Sequence, residues 1–247
     1  ECEEDSEIIV AYDDQLTPEG FVKPDRWSKY ADRFLVEKGK GEAEVLFPRG
    51  FVYVLVDASK SCKILSVTAT KEVYPYEEKK SFFADNKLLN DIFDVSVRTQ
   101  QVCTIDGFTD CVNRERVLWL GDAYFDCMGN YYSTFDKGLL LTTLYEHAMG
   151  QTECGALGGY NSSNVKPDWL LMLSYNLMYL EMVTDYLLYT GDEENLLPLK
   201  ETVKKLIAYA VSNINGRGVF DTNYKGCSNY WDWGYSEPEG ENLKYCG

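Results

Sequence analysis

The sequence predicts a mixed fold, in which a β-sandwich segment is followed by helical hairpins. Residues up to about 80 contain two short β-rich runs, Phe51–Val56 and Lys63–Thr70, bounded by turn-forming residues. From Asp85 onward, apolar residues recur at spacings of three and four, which is the period of an amphipathic helix. We therefore predict two domains, a β-sandwich segment at 1–80 and a helical domain at 81–247.

The two β-rich runs predict strands in different settings. The run 51–56 is continuously apolar, which is typical of a strand buried on both faces. The run 63–70 alternates apolar and polar residues, which predicts a sheet with one solvated face. Residues 1–40 are too mixed in composition for an assignment.

The helical part begins after Asp85, the candidate N-cap of a helix that carries Leu88, Leu89, Ile92, Phe93 and Val97 on its apolar positions. Gly191, in Thr190-Gly191-Asp192, is the candidate C-cap between the last two helices. Short connections between long helices predict antiparallel hairpins. Further helices are predicted at roughly 120–135, 138–149, 167–190 and 194–213.

A sandwich followed by helical hairpins is the order found in several glycoside-processing enzymes built on an (α/α)6 helical barrel. A complete ring of twelve helices needs about 200 residues or more. Fewer than that follow residue 80, so we expect only the first part of the barrel. Because the sequence begins with Glu1 rather than Met, we also expect it to be a piece of a longer polypeptide.

Charge and composition limit the classes of partner. The formal net charge is −16 and the sequence has no basic cluster, which argues against nucleic acid and anionic membrane surfaces as partners. No stretch approaches the length of about eighteen apolar residues that a membrane span needs. A neutral substrate fits this balance better, and oligomerisation into a homo-oligomer stays open.

The cysteines and the histidine indicate no metal chemistry. The eight cysteines include no CxxC pair, which argues against a zinc site, and we expect free buried thiols in a reducing compartment. A cytoplasmic location follows from that expectation, with a secreted or periplasmic one left open. His147 is the only histidine and is expected to be structural, so we predict no metal and no cofactor.

Between Thr104 and Ala123 the helical pattern breaks into a loop rich in charged residues. Such residues can form a polar pocket, in which carboxylates and guanidinium groups share hydrogen bonds and together set the pKa of one group. On composition alone, a solvated salt-bridge cluster beside a helix start is the commoner explanation. The residues concerned are Asp106, Asp110, Arg114, Glu115, Arg116, Trp119 and Asp122.

The run 110–123, DCVNRERVLWLGDA, resembles the loop Asp-Cys-Pro-Gln-Arg-(Asp)-Glu-Arg-x-x-Trp-x-Gly-Asp-Ala of the bacterial α-L-rhamnosidase family. Similarity extends to FPRGFVYVLVDA before it and to SFFADNKLLNDIFDVSVRTQQVCTIDGFTDC, and covers about residues 45–235. Val112 stands for the proline, Asn113 for the glutamine, and the optional Asp is absent. We interpret these departures as a subfamily difference.

The resemblance implies a role for each of five residues. Glu115 would be the general acid that protonates the departing oxygen, which requires its carboxyl group to keep a proton near neutral pH. Asp110 and Asp122 would disfavour its ionisation and accept hydrogen bonds from sugar hydroxyls, and Arg114 would hold the negative cluster together. Trp119 would offer an apolar face to the sugar ring and its methyl group.

The resemblance is weaker further along the chain. Trp169 and Trp233 lie where the family places aromatic residues around the sugar, although each could equally be barrel packing, and Leu170-Leu171-Met172 replaces the small residues usual after the first. An inverting glycosidase also needs a carboxylate base. The setting of Glu237 and Glu239 does not resemble the family's base loop, so we expect the base outside this chain.

The function expected from the resemblance is hydrolysis, with inversion, of terminal α-L-rhamnose from rhamnose-containing glycosides or oligosaccharides. A second hypothesis is a non-catalytic carbohydrate-binding protein on the same fold, which would explain the missing base. A third is another glycosidase of the same barrel, because barrel architecture does not fix the substrate.

Overall fold

The computed structural model describes residues 1–22, 31–76, 81–112, 115–160 and 171–219. They form two compact units, one of residues 1–73 with 111–116 and the other of 74–110 with 117–247. The predicted boundary between residues 80 and 81 adjoins the undescribed residues 77–80, so the division at that point stays a prediction. The elements of the described residues are β1 (Ser6–Asp13), β2 (Ala31–Val36), β3 (Tyr53–Ala58), α1 (Lys87–Val102), α2 (Leu120–Ser133), α3 (Lys137–Met149), α4 (Leu173–Thr190), a 3₁₀ helix (Glu194–Leu199) and α5 (Lys200–Ser212).

The first unit contains a three-stranded antiparallel sheet with the order β2-β1-β3. The central strand β1 pairs Ser6 with Val36 of β2 and Ile8 with Ala58 of β3. Side chains of β2 alternate between exposed and partly buried, as expected when one face of a sheet is solvated. A single small sheet is what the described residues show, and a second sandwich layer is not among them.

The predictions for this unit were partly right. The run 51–56 coincides with β3, but burial on both faces is wrong, because Tyr53 and Val54 are exposed on what is an edge strand. The prediction of a strand at 63–70 is wrong. It pairs with the chain start only at Lys63, whose N–H donates to the carbonyl of Glu1 at 2.8 Å, and the residues that follow form no ladder.

The expectation of free thiols is wrong for two of the eight cysteines, because Cys2 and Cys62 form a disulfide that closes a loop of 60 residues. Of the other described cysteines, Cys127 is buried and Cys154 is exposed. Cys227 and Cys246 lie outside the described residues. The disulfide joins the residues before β1 to those after β3, and so fixes the N-terminal segment to the edge of the sheet.

Opening this disulfide should destabilise the first unit. Replacing Cys2 and Cys62 by serine is expected to lower the free energy of unfolding by about 2–4 kcal/mol, because the unfolded chain regains the freedom that the closed loop removes. Urea unfolding, followed by far-ultraviolet circular dichroism, measures the change in the free energy of unfolding. Cys154→Ser, at an exposed thiol, is the control and should leave the midpoint unchanged; an equal midpoint for all three proteins would contradict the prediction.

In the second unit, α1 begins one residue later than predicted. Asn86, and not Asp85, is the N-cap, because its side chain accepts a hydrogen bond from the N–H of Leu88 at 2.9 Å. The apolar positions of α1 are largely exposed, including Leu88 and Ile92, and the only buried residue of this helix is Gln100. Contact between α1 and α2 therefore depends on a polar side chain.

Gln100 joins the two helices with both ends of its amide. Its Nε2 donates to the backbone carbonyl of Asp126 at 2.6 Å, and its Oε1 accepts from Oγ of Ser133 at 2.8 Å. A side chain added at Gly129 of α2 would lie 3.1 Å from Nε2 of Gln100, so the glycine leaves the space that the amide occupies. The amide thus adds two directional hydrogen bonds between α1 and α2.

The remaining helices confirm most of the predicted helical stretches. α2 and α3 match the predicted 120–135 and 138–149, and Gly191 ends α4 in the left-handed conformation, with φ of 66°. The predicted helix 194–213 is a 3₁₀ turn containing Pro198, followed by α5. The helix predicted from 167 begins at Leu173, and residues 161–170 lie outside the description. Within the described residues, no helix is long and apolar enough to cross a membrane.

The core of this unit lies between α2, α3 and α4. Buried tyrosines hold it together through their hydroxyl groups as well as their rings, and Tyr179 donates to the carbonyl of Leu144 on α3 at 2.9 Å. His147 is buried on α3, and burial lowers its pKa to about 3. Its Nε2 has no hydrogen-bond partner among the described residues, as suits a neutral, structural imidazole.

The single histidine gives a direct test of this burial. Because the pKa of His147 in the folded state lies below that of the unfolded chain, the unfolded state binds more protons between about pH 6.5 and pH 3. Its contribution to stability is therefore complete above pH 6.5 and is lost as the pH falls. We expect the imidazole carbon-bound protons to show no NMR titration between pH 8 and pH 5, whereas a midpoint near 6.5 would contradict the burial.

Candidate functional site

The charged loop is closed at its base by two hydrogen bonds. Asp110 donates its N–H to the carbonyl of Val117 at 3.0 Å, and Val117 donates its N–H to Oδ1 of Asp110 at 2.9 Å. Of the residues between them, the structure describes 111, 112, 115 and 116. Asp110 is partly buried, and one of its carboxylate oxygens is thereby committed to backbone.

Glu115 and Arg116 lie between Asp110 and Val117 in the sequence and belong to the first unit. Glu115 is exposed. Arg116 has φ of 54°, a left-handed conformation that costs a residue with a side chain about 1–2 kcal/mol. Its Nη1 donates to the carbonyl of Pro48 within the same unit, which helps to hold that conformation. Strained backbone of this kind is common where a loop must present a neighbouring side chain.

Trp119 occupies the N-cap position of α2 and is anchored by the segment that ends at Tyr160. The two residues form a β-bridge, and Leu120 donates its N–H to the carbonyl of Gly159 at 2.8 Å. The rings of Trp119 and Tyr160 are tilted against each other with their centroids 4.7 Å apart. Both side chains are partly buried, so they form a two-ring aromatic surface at the start of the helix.

The segment that supports Trp119 is held in turn by Asn176 of α4. Oδ1 of Asn176 accepts from the N–H of Leu157 at 2.7 Å, and Nδ2 donates to the carbonyls of Leu157 at 3.0 Å and Met172 at 2.9 Å. Asn176 is fully buried. One amide therefore satisfies both backbone groups of a residue three positions before Tyr160.

Gly121 allows α2 to approach α4 closely. A Cβ at this position would lie 2.5 Å from two ring atoms of Tyr175, closer than any real contact, so a side chain would displace the ring. The glycine in the Trp-x-Gly-Asp-Ala part of the motif thus has a packing reason.

Asp122 and Asp126 stand four residues apart on α2, on the same face of the helix. Asp122 lies in the first turn, where the positive end of the helix dipole favours a carboxylate. The pKa of Asp126 is raised to about 7, first by burial and then by the negative charges of Asp122 and Asp110, against a hydrogen bond from Gln100 that lowers it. Three carboxyl groups are therefore electrostatically coupled in this unit.

Replacing Gly121 by alanine should destabilise the helical unit, because the new Cβ collides with Tyr175. We expect a loss of about 1–3 kcal/mol in the free energy of unfolding, measured by urea denaturation. Gly138→Ala in α3 is the matched control, since its Cβ would meet only Oδ1 of Asp136 at 3.4 Å. That variant should lose nothing and can gain up to about 1 kcal/mol from helix propensity. Equal stability of both variants would contradict the close approach.

Of the predicted site residues, the structure brings Asp110 and Asp122 into one electrostatic cluster and places Trp119 at the start of the same helix. Glu115 is described within the other unit. Arg114, Trp169 and Trp233 lie outside the described residues, as do Glu237 and Glu239, so their roles stay predictions.

Sequence reasoning missed three residues of this region, Tyr160, Asn176 and Asp126. Asp126 had a signal, because it follows Asp122 by one helical turn. Tyr160 and Asn176 had none, because their roles come from contacts between distant segments. Among the described residues, no group of three or more histidine, cysteine, aspartate or glutamate side chains could hold a metal ion.

Comparison with known proteins gives a family match. The sequence profile described as bacterial alpha-L-rhamnosidase 6 hairpin glycosidase domain matches residues 77–244. No curated protein sequence matches the chain. The match covers more than half of the sequence and includes the whole charged loop.

Solved structures share the fold at low sequence identity. A GH78 family rhamnosidase of Bacillus sp. GL1 has a TM-score of 0.75 and 20% identity over 89% of this chain. A rhamnosidase from Klebsiella oxytoca with rhamnose bound has a TM-score of 0.70 and 18% identity over 92%. An α-L-rhamnosidase from Dictyoglumus thermophilum has a TM-score of 0.68 and 22% identity over 86%. The chain spans 23%, 47% and 25% of their respective lengths.

Proposed function

The chain belongs to the family of bacterial α-L-rhamnosidase six-hairpin glycosidase domains, and from that premise we propose that it takes part in hydrolysing terminal α-L-rhamnose from rhamnosides with inversion. The observation that carries this proposal is the family match across residues 77–244, which contain the full acidic and aromatic motif. The coupled carboxyl groups at the start of α2 support it, because a neutral sugar offers hydroxyl groups for them to bind.

Glu115 is the proposed general acid. A glycosidic oxygen leaves poorly as an alkoxide, so a carboxylic acid must deliver a proton as the bond breaks. The exposed side chain of Glu115 and the strained turn at Arg116 support this role, because a substrate must reach the acid and the loop must hold it in one orientation. Arg114 is proposed to stabilise the negative charges of the loop.

Sugar binding is proposed for Asp110, Asp122 and Trp119, with Tyr160 as an added aromatic partner. One oxygen of Asp110 accepts the N–H of Val117, so the carboxylate is held in a fixed orientation. The ring of Trp119 is fixed by Tyr160 and by the backbone bridge between them. Fixed acceptors and a fixed apolar face select a sugar with hydroxyl groups on one side and a methyl group on the other. Trp169 and Trp233 are further proposed contacts.

The finer architecture belongs to the same proposal. We infer that α1 to α5 are the first part of an (α/α)6 barrel and that the three-stranded sheet is part of a β-sandwich. The exposed apolar positions of α1 support the first inference, because a barrel helix normally buries that face. The catalytic base is then proposed to come from a later barrel loop outside this chain.

A non-catalytic carbohydrate-binding protein is the second candidate, and the lack of a segment resembling the base loop favours it. Such a protein would bind L-rhamnose through the same aspartates without turnover. Release of rhamnose distinguishes the two functions, because binding alone releases none. Another glycosidase specificity on the same barrel would appear as turnover of a different glycoside in the same assay.

The cytoplasmic location stays a prediction, and the Cys2–Cys62 disulfide is the observation against it, because disulfides persist mainly in oxidising compartments. Oligomeric state also stays open.

In the full-length protein, Glu115→Gln should abolish turnover of unactivated rhamnosides and leave L-rhamnose binding intact. The amide cannot deliver a proton, so the expected loss in kcat is about 10²–10⁴-fold on an alkyl α-L-rhamnoside. The loss should be smaller on 4-nitrophenyl α-L-rhamnoside, whose leaving group needs less help. Rhamnose release and calorimetric binding of L-rhamnose are the two measurements.

Glu44→Gln, at an exposed glutamate of the same unit, is the matched control and should keep full turnover. Asp122→Asn should weaken both binding and turnover, because it removes a proposed sugar contact. If Glu115→Gln kept the turnover of the unaltered protein on the alkyl rhamnoside, the acid assignment would be wrong. If the full-length protein bound L-rhamnose but released none from either glycoside, the binding protein would be the better proposal.

A further inference from the structure

Arg49 of the first unit pairs with Asp32 of β2 through two hydrogen bonds. Its Nη2 donates to Oδ1 of Asp32 at 2.6 Å, and its Nε donates to Oδ2 at 3.1 Å. Both side chains are 22% exposed, whereas those of the neighbouring ion pair, Arg33 with Glu7, are 67% and 36% exposed. The Arg49 pair is therefore better shielded from water, and its two donors meet two different oxygens, which fixes the guanidinium plane.

The segment 48–52, which carries this arginine and lies just before β3, is also held to β1. The ring centroids of Phe51 and of the buried Tyr12 are 5.4 Å apart. Val52 donates its N–H to the carbonyl of Asp13, the last residue of β1, at 3.0 Å. Contacts with both β1 and β2 therefore give this segment a defined place on the sheet.

The carbonyl of Pro48, the residue before Arg49, is the acceptor for the charged loop within the same unit. Nη1 of Arg116 donates to it across 68 positions of the sequence. A charged donor makes a stronger hydrogen bond than a neutral one, and the proline ring fixes φ beside the acceptor. Arg116 has φ of 54°, which a residue with a Cβ rarely adopts unless contacts hold it there. Glu115 directly precedes this turn, so its direction depends on the contact.

We propose that Arg49 is a positioning residue for the proposed general acid: paired with Asp32, it fixes the Pro48 carbonyl that receives Arg116, and so holds the turn that carries Glu115. The inference rests on the proposed function, because the acid role of Glu115 is itself proposed. Without the pair, the carbonyl moves and the turn at Arg116 relaxes to other conformations. Proton delivery then becomes less frequent, because general acid catalysis depends on the orientation of the acid.

The leaving group of the substrate tests the proposal in the full-length protein. Arg49→Gln should lower kcat on an alkyl α-L-rhamnoside by about 10–100-fold, because a misplaced acid delivers its proton poorly. On 4-nitrophenyl α-L-rhamnoside the loss should be much smaller, and the Kd for L-rhamnose, measured by calorimetry, should not change. Arg49→Lys should lie in between, since an ammonium group cannot reproduce the planar fork of two donors. Asp32→Asn should give the same pattern as Arg49→Gln.

Arg33→Gln is the matched control, since it removes the arginine of the more exposed pair on the same sheet and should keep both rates. Combined with Glu115→Gln, Arg49→Gln should cause no further loss, because no acid is left to position. Equal losses in kcat with and without Glu115, or equal losses on the two substrates, would overturn the inference and leave the proposed function intact. No rhamnose release by the unaltered full-length protein would instead count against the proposed function.

A second measurement does not depend on sugar. Trypsin can cut after Arg116 only when that side chain leaves the Pro48 carbonyl and enters the protease, so the initial cleavage rate reports how often the turn opens. In the full-length protein, Arg49→Gln and Arg49→Lys should raise the rate of cleavage between Arg116 and Val117, followed by mass spectrometry, by up to about tenfold. Arg33→Gln should leave the rate unchanged. Equal rates in the unaltered protein and both Arg49 variants would overturn the inference, whatever the sugar assays give.

Discussion

The helical unit depends on one buried amide, that of Asn176. Its three hydrogen bonds hold the segment before Tyr160 against the start of α4. In that segment the carbonyl of Gly159 accepts the N–H of Leu120, and the ring of Tyr160 packs against that of Trp119. These contacts fix where α2 begins. Each group involved is buried, so a residue unable to bond both Leu157 groups would leave them without partners, at about 1–3 kcal/mol each. The position of every carboxyl group on α2 follows from this contact.

Glycine and glutamine set the other two sides of α2. Gly121 lets the helix approach Tyr175 of α4 more closely than any side chain would allow. From α1, Gln100 bonds a backbone carbonyl of the second turn and the hydroxyl of Ser133. Hydrogen bonds are directional, so these contacts define the rotation of α2 about its axis more sharply than apolar packing alone. That rotation decides the direction in which the face carrying Asp122 and Asp126 points.

Local signals predicted the parts of the fold that depend on local physics. Helical periodicity located α2, α3 and α4, and the left-handed preference of Gly191 located a helix end, because both are properties of a few consecutive residues. The same reasoning placed a strand at 63–70 wrongly, since alternation supplies a face but not a partner strand. It also missed the Cys2–Cys62 pair, because spacing along the chain does not reveal which sulfurs meet.

The residues of the site show the same difference between local signals and contacts over long distances in the sequence. Asp110, Trp119 and Asp122 could be proposed from a contiguous motif, which similarity detects directly. Tyr160 and Asn176 act through contacts made across 41 and 19 residues, respectively, with Trp119 and Leu157, and no periodicity in the sequence indicates them. Asp126 falls between these cases. Its spacing from Asp122 is visible, but its burial is not, and burial is the first cause of its raised pKa.

The concentration of negative charge at this site has an energetic cost. The chain already has a net charge of −16, and within the helical unit the negative charges of Asp122 and Asp110 raise the pKa of Asp126. Two local features reduce that cost: a backbone N–H bonded to Asp110, and the helix dipole at Asp122. Asp126 lies one turn further along α2, where burial raises its pKa and a hydrogen bond from Gln100 lowers it. The charge around the start of α2 is therefore set by a balance between burial, which disfavours ionised carboxyl groups, and the hydrogen bonds and helix dipole, which favour them.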